Sequence, residues 1–249
     1  MHLLYLFTFA FAGAISASFI GVIAERIHTG QSWRTGRSKC NSCRESLAFL
    51  DLVPVFSWLG TRGRCRMCGS KIPMQYALSE AVLAGVFVLS YLHFGLGSDI
   101  VLFLIAIAVL AFIVLYDIRH TIVPPLASNA FTLVSLLFAY IQAGNVRLFG
   151  LYLLTAGLIS LAFFSLHYFS RGRAMGLGDA PIAFALSLLV GAQAVSGLLF
   201  SFWIGALFGI FVLLLRRGGP TMGIEIPFVP FLAIGYLLAY FTQWNPLFL

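Results

Sequence analysis

Two acids in this sequence sit where acids are costly. Asp179 closes the stretch Ala174-Met175-Gly176-Leu177-Gly178-Asp179 and is followed at once by an apolar run. Asp117 ends the apolar run Ile100 to Tyr116, with Arg119, His120 and the Pro124-Pro125 pair behind it. An ionisable group at a membrane boundary must be hydrated, paired or protonated, so each acid is a candidate functional residue. Two carboxyls brought together share a proton: the ionised one activates water while its partner polarises a carbonyl. That is peptide hydrolysis by the aspartic mechanism, with the pair acting as a unit. Gly176 and Gly178 let backbone approach such a site closely. Pro124 drives Val123 out of the helical region and should end the helix soon after Asp117. The bland alternative for either acid alone is a solvated helix end, with Asp117 beside Arg119 and Asp179 capping the helix that follows it.

The four cysteines form a second constellation, Cys40-Asn41-Ser42-Cys43 and Cys65-Arg66-Met67-Cys68. Two CxxC pairs separated by 21 residues supply four thiolates for tetrahedral zinc. Arg44, Arg64 and Arg66 nearby favour thiolate. Disulfides are the rival, but a reducing cytoplasm disfavours them. Four protein ligands leave no open position for water, so the expected zinc is structural.

The elements that must position these groups are membrane helices. Of 249 residues 61% are hydrophobic and 9% charged, and the mean hydropathy is +1.00, far from the balance of a soluble domain. Leu3 to Ala24 is long enough to cross a hydrocarbon core of about 30 Å. A cleaved signal peptide is disfavoured, because the positive charge follows the apolar run instead of preceding it. Residues 25–76 form the long polar segment, rich in arginine. Seven further apolar runs cover about 77–95, 100–116, 125–141, 148–169, 180–194, 197–215 and 229–242. With the first polar segment inside, the alternation leaves Arg147 as the single outside residue among 15 basic ones, as the positive-inside rule requires. The net charge of +7 is thereby explained by cytoplasmic loops, and nucleic acid is not an expected partner. The basic loop could attract anionic lipid. Asp117 and Asp179 then fall at the same cytoplasmic depth. The count depends on a turn between Gly191 and Gly197; if those two runs were one helix, everything after them would invert. The expected architecture is all-α and polytopic, with about eight transmembrane helices and a zinc-ribbon-like cytoplasmic insertion. Its divisions are a first helix at 1–24, a zinc-binding segment at 25–76 and a membrane part at 77–249.

Several motifs together resemble the type IV prepilin peptidases, the prepilin leader peptidase/N-methyltransferases with a GxGD-type aspartate. Ser18-Phe19-Ile20 with Arg26, Arg37-Ser38-Lys39-Cys40, Leu50 to Pro54, Arg64 to Cys68, Ile72 and the Tyr76, Glu80, Gly85 spacing resemble the amino-terminal region. Asp117 through Pro124, Met175 through Asp179, and Glu225-Ile226-Pro227-Phe228 with Pro230-Phe231 resemble the remaining segments. The resemblance implies cleavage of the basic leader of prepilins or pseudopilins at the cytoplasmic face of the bacterial inner membrane. Methylation of the new amino terminus from S-adenosyl-L-methionine would follow. It makes Asp117 and Asp179 the catalytic pair, supported by Gly176 and Gly178, and Cys40, Cys43, Cys65 and Cys68 the zinc ligands. It assigns no residue to S-adenosylmethionine. Departures include Gly21 where asparagine is common, Arg119 where a second acid is frequent, Ala174 in place of a glycine, and Pro181 where a lysine is usual. Rival readings are a peptidase-only member acting on another membrane precursor, and a zinc-binding transporter or scaffold. A transporter would carry acids along a path across the bilayer, not at one face. Glu80 and Glu225 are further acids, each able to meet substrate or cofactor or to be solvated or paired with arginine. His28, His120 and His167 show no ligand spacing.

Overall fold

The unbroken apolar stretch after Met1 forms helix α1, His2–His28, and its partner is α3, Met74–Phe94. The two run antiparallel. His2, Tyr5 and Phe9 gather on Tyr91, while at Gly13 a Cβ would stand 2.7 Å from the Leu83 carbonyl oxygen. A side chain there would force the helices apart. The segment between them carries a 3-10 turn at Phe49–Leu52 and a short helix α2, Phe56–Gly60. These elements belong to one compact unit, Met1–Ile100; the second unit is Val101–Leu249.

The computed structural model describes residues 1–30, 32, 36–173, 175–215 and 227–244, and for His28 the backbone alone. Trp33, Arg34, Ala174, Arg216, Arg217, Glu225 and Ile226, all used in the sequence reading, lie outside the described residues.

The second unit takes in α4, Asp99–His120, from Val101 onward, then α5, Pro125–Ala143, α6, Val146–Ser170, α7, Asp179–Val190, α8, Ala194–Leu215, and α9, Val229–Thr242. Helix α4 continues one turn beyond the expected end at Asp117. It stops at His120 because Thr121 takes φ 53° and Pro124 excludes Val123 from helix. Glycines set other ends: Gly144, left-handed at φ 65°, closes α5.

Helix α7 is the centre of this unit. Ten of its 12 residues are buried, packed between α5 and α6 and touching α9. At about 1.5 Å per residue it is roughly 18 Å long, too short to cross a membrane alone. By length and composition six helical runs qualify as membrane spans, and the last, Asp179–Leu215, holds both α7 and α8.

Packing contacts decide whether that run is one helix or two. Gly197 of α8 lies against the Tyr236 ring, a Cβ on Gly235 would strike Ser201, and Gly205 faces Phe228 and Phe231. Numbers rise along α8 as they fall along α9, so these helices are antiparallel. Ser187 of α7 meets the Tyr236 hydroxyl at 2.9 Å, whereas Asp179 and Val229, which begin α7 and α9, both adjoin Asp117. Helices α7 and α9 are therefore parallel. It follows that α7 and α8 run in opposite directions and the chain reverses at Gly191. Its φ of 56° and the Tyr152 ring against its Cα leave no room for a side chain. The expected turn between Gly191 and Gly197 exists, tightened into a 3-10 turn at Gly191–Gln193.

Candidate active site and metal centre

The end of α4, the start of α7 and the start of α9 converge. Asp117 and Asp179 are 5% and 7% exposed, and their carboxyls lie within electrostatic reach of one another. The solvated-end reading does not fit such burial. The backbone N–H of Val229 is directed at Asp117, so the first turn of α9 offers its positive end to that carboxyl. Asp117 Oδ2 is buried and has no hydrogen-bond partner among the described residues. A buried acceptor left unmatched is costly unless a reaction uses it.

Asp179 is the first residue of α7; Gly178 holds the cap position, and no side chain caps the helix. The expected capping role for Asp179 is thus replaced by another arrangement. Its own N–H donates to the Gly176 carbonyl at 3.3 Å, and the backbone N–H of Gly176 faces its carboxyl. The two glycines have distinct tasks. A Cβ on Gly176 would sit 3.5 Å from Asp179 Oδ2, and one on Gly178 would stand 2.8 Å from the Cβ of Val123. The loop that follows Asp117 therefore rests directly on the residue that precedes Asp179. That contact ties the two acids together through backbone.

His167 has a role the sequence did not disclose. Its Nδ1 lies 2.9 Å from the Met175 carbonyl oxygen, and since a carbonyl only accepts, Nδ1 donates. The ring also lies 3.4 Å from where a Cβ on Gly172 would be. Together these fasten the loop leading to Asp179 onto the end of α6.

In the first unit the sulfurs of Cys40, Cys43, Cys65 and Cys68 all lie within 4.8 Å of one another. Cys40 and Cys68 sulfurs are 3.8 Å apart. Tetrahedral zinc with bonds of about 2.3 Å requires sulfurs roughly 3.8 Å apart, so the donor set fits the ion. Both knuckles fold alike. Cys40 N–H donates to Glu45 O and Arg44 N–H to Cys40 O; Cys65 N–H donates to Ser70 O and Gly69 N–H to Cys65 O. Arg44 and Gly69 take left-handed backbone at φ 59° and 71°. The bridges Lys39 to Ser46 and Arg64 to Lys71 close each knuckle. The Cys43 backbone N–H, then the Ser70 hydroxyl, hold the Cys40 thiol down to about 6. Hydrogen bonds, more than the neighbouring arginines, thus favour thiolate here.

Beside this module Glu80 is buried and is not the solvated or arginine-paired acid considered from sequence. Its Oε2 accepts the Val55 N–H at 2.7 Å, holding a β-branched residue at φ 62°. Trp58 Nε1 donates to the Ile72 carbonyl at 3.1 Å, and Arg66 Nε pairs with Asp51 at 2.8 Å. These residues line a pocket of about 240 Å³ that also takes in Glu25 and Tyr76.

Buried carboxyls gathered at one end of a membrane bundle are the arrangement of a membrane-embedded hydrolase. Comparison with known proteins agrees. Residues 11–94 match the Bacterial Peptidase A24 N-terminal domain, and residues 102–214 match the Type IV leader peptidase family. The chain is 28% identical to the prepilin leader peptidase/N-methyltransferase of Bacillus subtilis (strain 168), over 92% of this chain and 90% of that one. To the proteins of the same name from Myxococcus xanthus (strain DK1622) and Aeromonas salmonicida (strain A449) it is 31% and 30% identical. Those matches cover 84% of this chain in both cases, and 63% and 74% of the relatives. No solved structure matches it. The chain belongs to the Type IV leader peptidase family.

Proposed function

We propose that this protein removes the basic leader from type IV prepilins or pilin-like precursors and then N-methylates the exposed amino terminus. The carrying observation is the convergence of Asp117 and Asp179, both buried, at one end of the bundle. In this mechanism one carboxyl is ionised and takes a proton from water as the water attacks the scissile carbonyl. The other is protonated and donates toward the carbonyl oxygen. Either acid can fill either role. The substrate backbone must be locally unwound, since a helical carbonyl is already engaged and shielded. On the same reading the site faces the cytoplasm of a bacterial inner membrane, 77–249 carries the peptidase, and 25–76 serves methyl transfer. Cys40, Cys43, Cys65 and Cys68 hold a structural zinc ion.

The pocket beside the zinc module is the proposed place of the methyl donor. Carboxylates at Glu25 and Glu80 and rings at Trp58 and Tyr76 line it, and acid with aromatic faces suits a sulfonium cation. S-adenosylmethionine would supply the methyl group there. Calorimetric titration should show weaker S-adenosylmethionine binding by Glu25→Gln with leader cleavage unchanged.

The intact mass of a co-expressed pilin-like substrate tests the main proposal. Wild-type enzyme should yield loss of the leader plus one methyl group. Asp117→Asn and Asp179→Asn should each leave the precursor whole, and continued cleavage by both would overturn the aspartate mechanism.

A further inference from the structure

Helices α5 and α6 close on each other at one end only. Near their connecting turn Ala139, Ala156 and Leu188 pack together with Phe149 and Tyr152, and the Tyr140 and Phe149 rings meet edge to face at 5.4 Å. Toward the opposite end the helices part. They leave a cleft of about 650 Å³ walled by Asn129 and Thr132 of α5 and by Gly157 and Ser160 of α6. Its floor is the first turn of α7, Ala180 and Pro181, which follow Asp179 directly. The cleft is therefore a wedge, narrowest at the α5–α6 turn and widest beside the aspartates.

The wall carries polar groups in helices otherwise built for hydrocarbon. Ser160 donates its hydroxyl proton to the Ala180 carbonyl at 3.0 Å, and Thr132 donates to the Ser128 carbonyl at 2.9 Å. With those protons committed, each hydroxyl oxygen has only lone pairs left to offer. Asn129 is exposed to the cleft and offers both N–H and C=O. Acceptors and an amide along a wedge are complementary to bare peptide backbone. That is what a membrane helix exposes when it unwinds, and hydrocarbon cannot satisfy it.

Resting on the function proposed above, we propose that this cleft receives the membrane-embedded substrate. The unwound segment next to the scissile bond lies between α5 and α6. Thr132 and Ser160 accept its N–H groups and Asn129 donates to its carbonyl. These are positioning residues: they hold the chain across the start of α7 so that the bond to be cut reaches Asp117 and Asp179.

Two readouts test this with full-length enzyme and a full-length pilin-like precursor. Asn129→Leu and the isosteric Thr132→Val should each raise KM about three- to tenfold, the equivalent of one lost hydrogen bond, with kcat within about twofold. Zinc content and thermal unfolding should be unchanged. In the Asp117→Asn background, a benzoylphenylalanine at Leu161, on the cleft, should cross-link to the precursor under light. The same group at Leu137, an exposed position of α5 away from the cleft, should not. Unchanged KM in both variants, or adducts at Leu161 with lipid alone, would overturn the cleft as the substrate site. If cleavage still depends on Asp117 and Asp179, those results leave the peptidase reading intact. Cleavage that survives both aspartate substitutions removes the peptidase reading itself.

Discussion

A methyl group at Gly178 would collide with Val123, and the collision lies between the two loops that carry the aspartates. Gly178→Ala should therefore cost on the order of 1–3 kcal/mol of strain and lower cleavage at least about tenfold. Val123→Ala in the same chain should restore much of that rate, which a cleavage assay on all three variants checks. A purely conformational demand of Gly178 would show no rescue, and its φ of −66° makes none. At the metal centre, Cys68→Ser should retain far less than the parent's one zinc ion per chain, read by elemental analysis of purified protein. The residues legible in the sequence are those whose chemistry is fixed by type: two acids against apolar runs, four thiols in paired spacing. Val123, His167 and the Val229 N–H were not legible. Val123 acts through shape, His167 through a carbonyl eight residues away, and Val229 through backbone that every residue possesses. Glu80 carried a visible charge, yet its partner is a backbone N–H 25 residues distant.

Among the elements, α8 and α9 approach so closely that small residues are obligatory at their crossing. A Cβ on Gly235 would meet both backbone and hydroxyl of Ser201. Gly235→Ala should lower stability by about 1–3 kcal/mol, seen as a reduced thermal midpoint. Because α9 aims Val229 at Asp117, cleavage should fall as well. Hydropathy marked every long helix, since each is a run of apolar side chains whatever its packing. It could not mark ends set by single glycines, or the extra turn of α4 that runs past Asp117. Nor could it find helix α2 and the 3-10 turn at Phe49–Leu52, which are too short for a periodic pattern. The separation of α7 from α8 was legible only as a topological requirement. Its physical cause, Gly191 under the Tyr152 ring, depends on a residue some forty positions earlier.

For the whole molecule, the sequence supplied the sidedness argument and the structure supplies two places to test it. The turn around Thr121 lies at the aspartate end of its unit, and the turn at Gly144–Asn145 lies a full helix away. Reporter fusions after Thr121 and after Asn145 should report cytoplasm and exterior respectively. The same side for both would contradict the alternation from which the depth of the acids was argued. The antiparallel pairing of α1 and α3 has a different kind of consequence. The points where the zinc-bearing stretch departs and returns are neighbours, for the Tyr76 hydroxyl donates to Glu25 Oε2 at 3.4 Å. A stretch inserted between neighbouring points makes little demand on its hosts, and each doubling of its length adds only about 0.6 kcal/mol of closure entropy. In descent such a stretch can be gained, trimmed or exchanged as one unit, while the two helices that bear it keep their register.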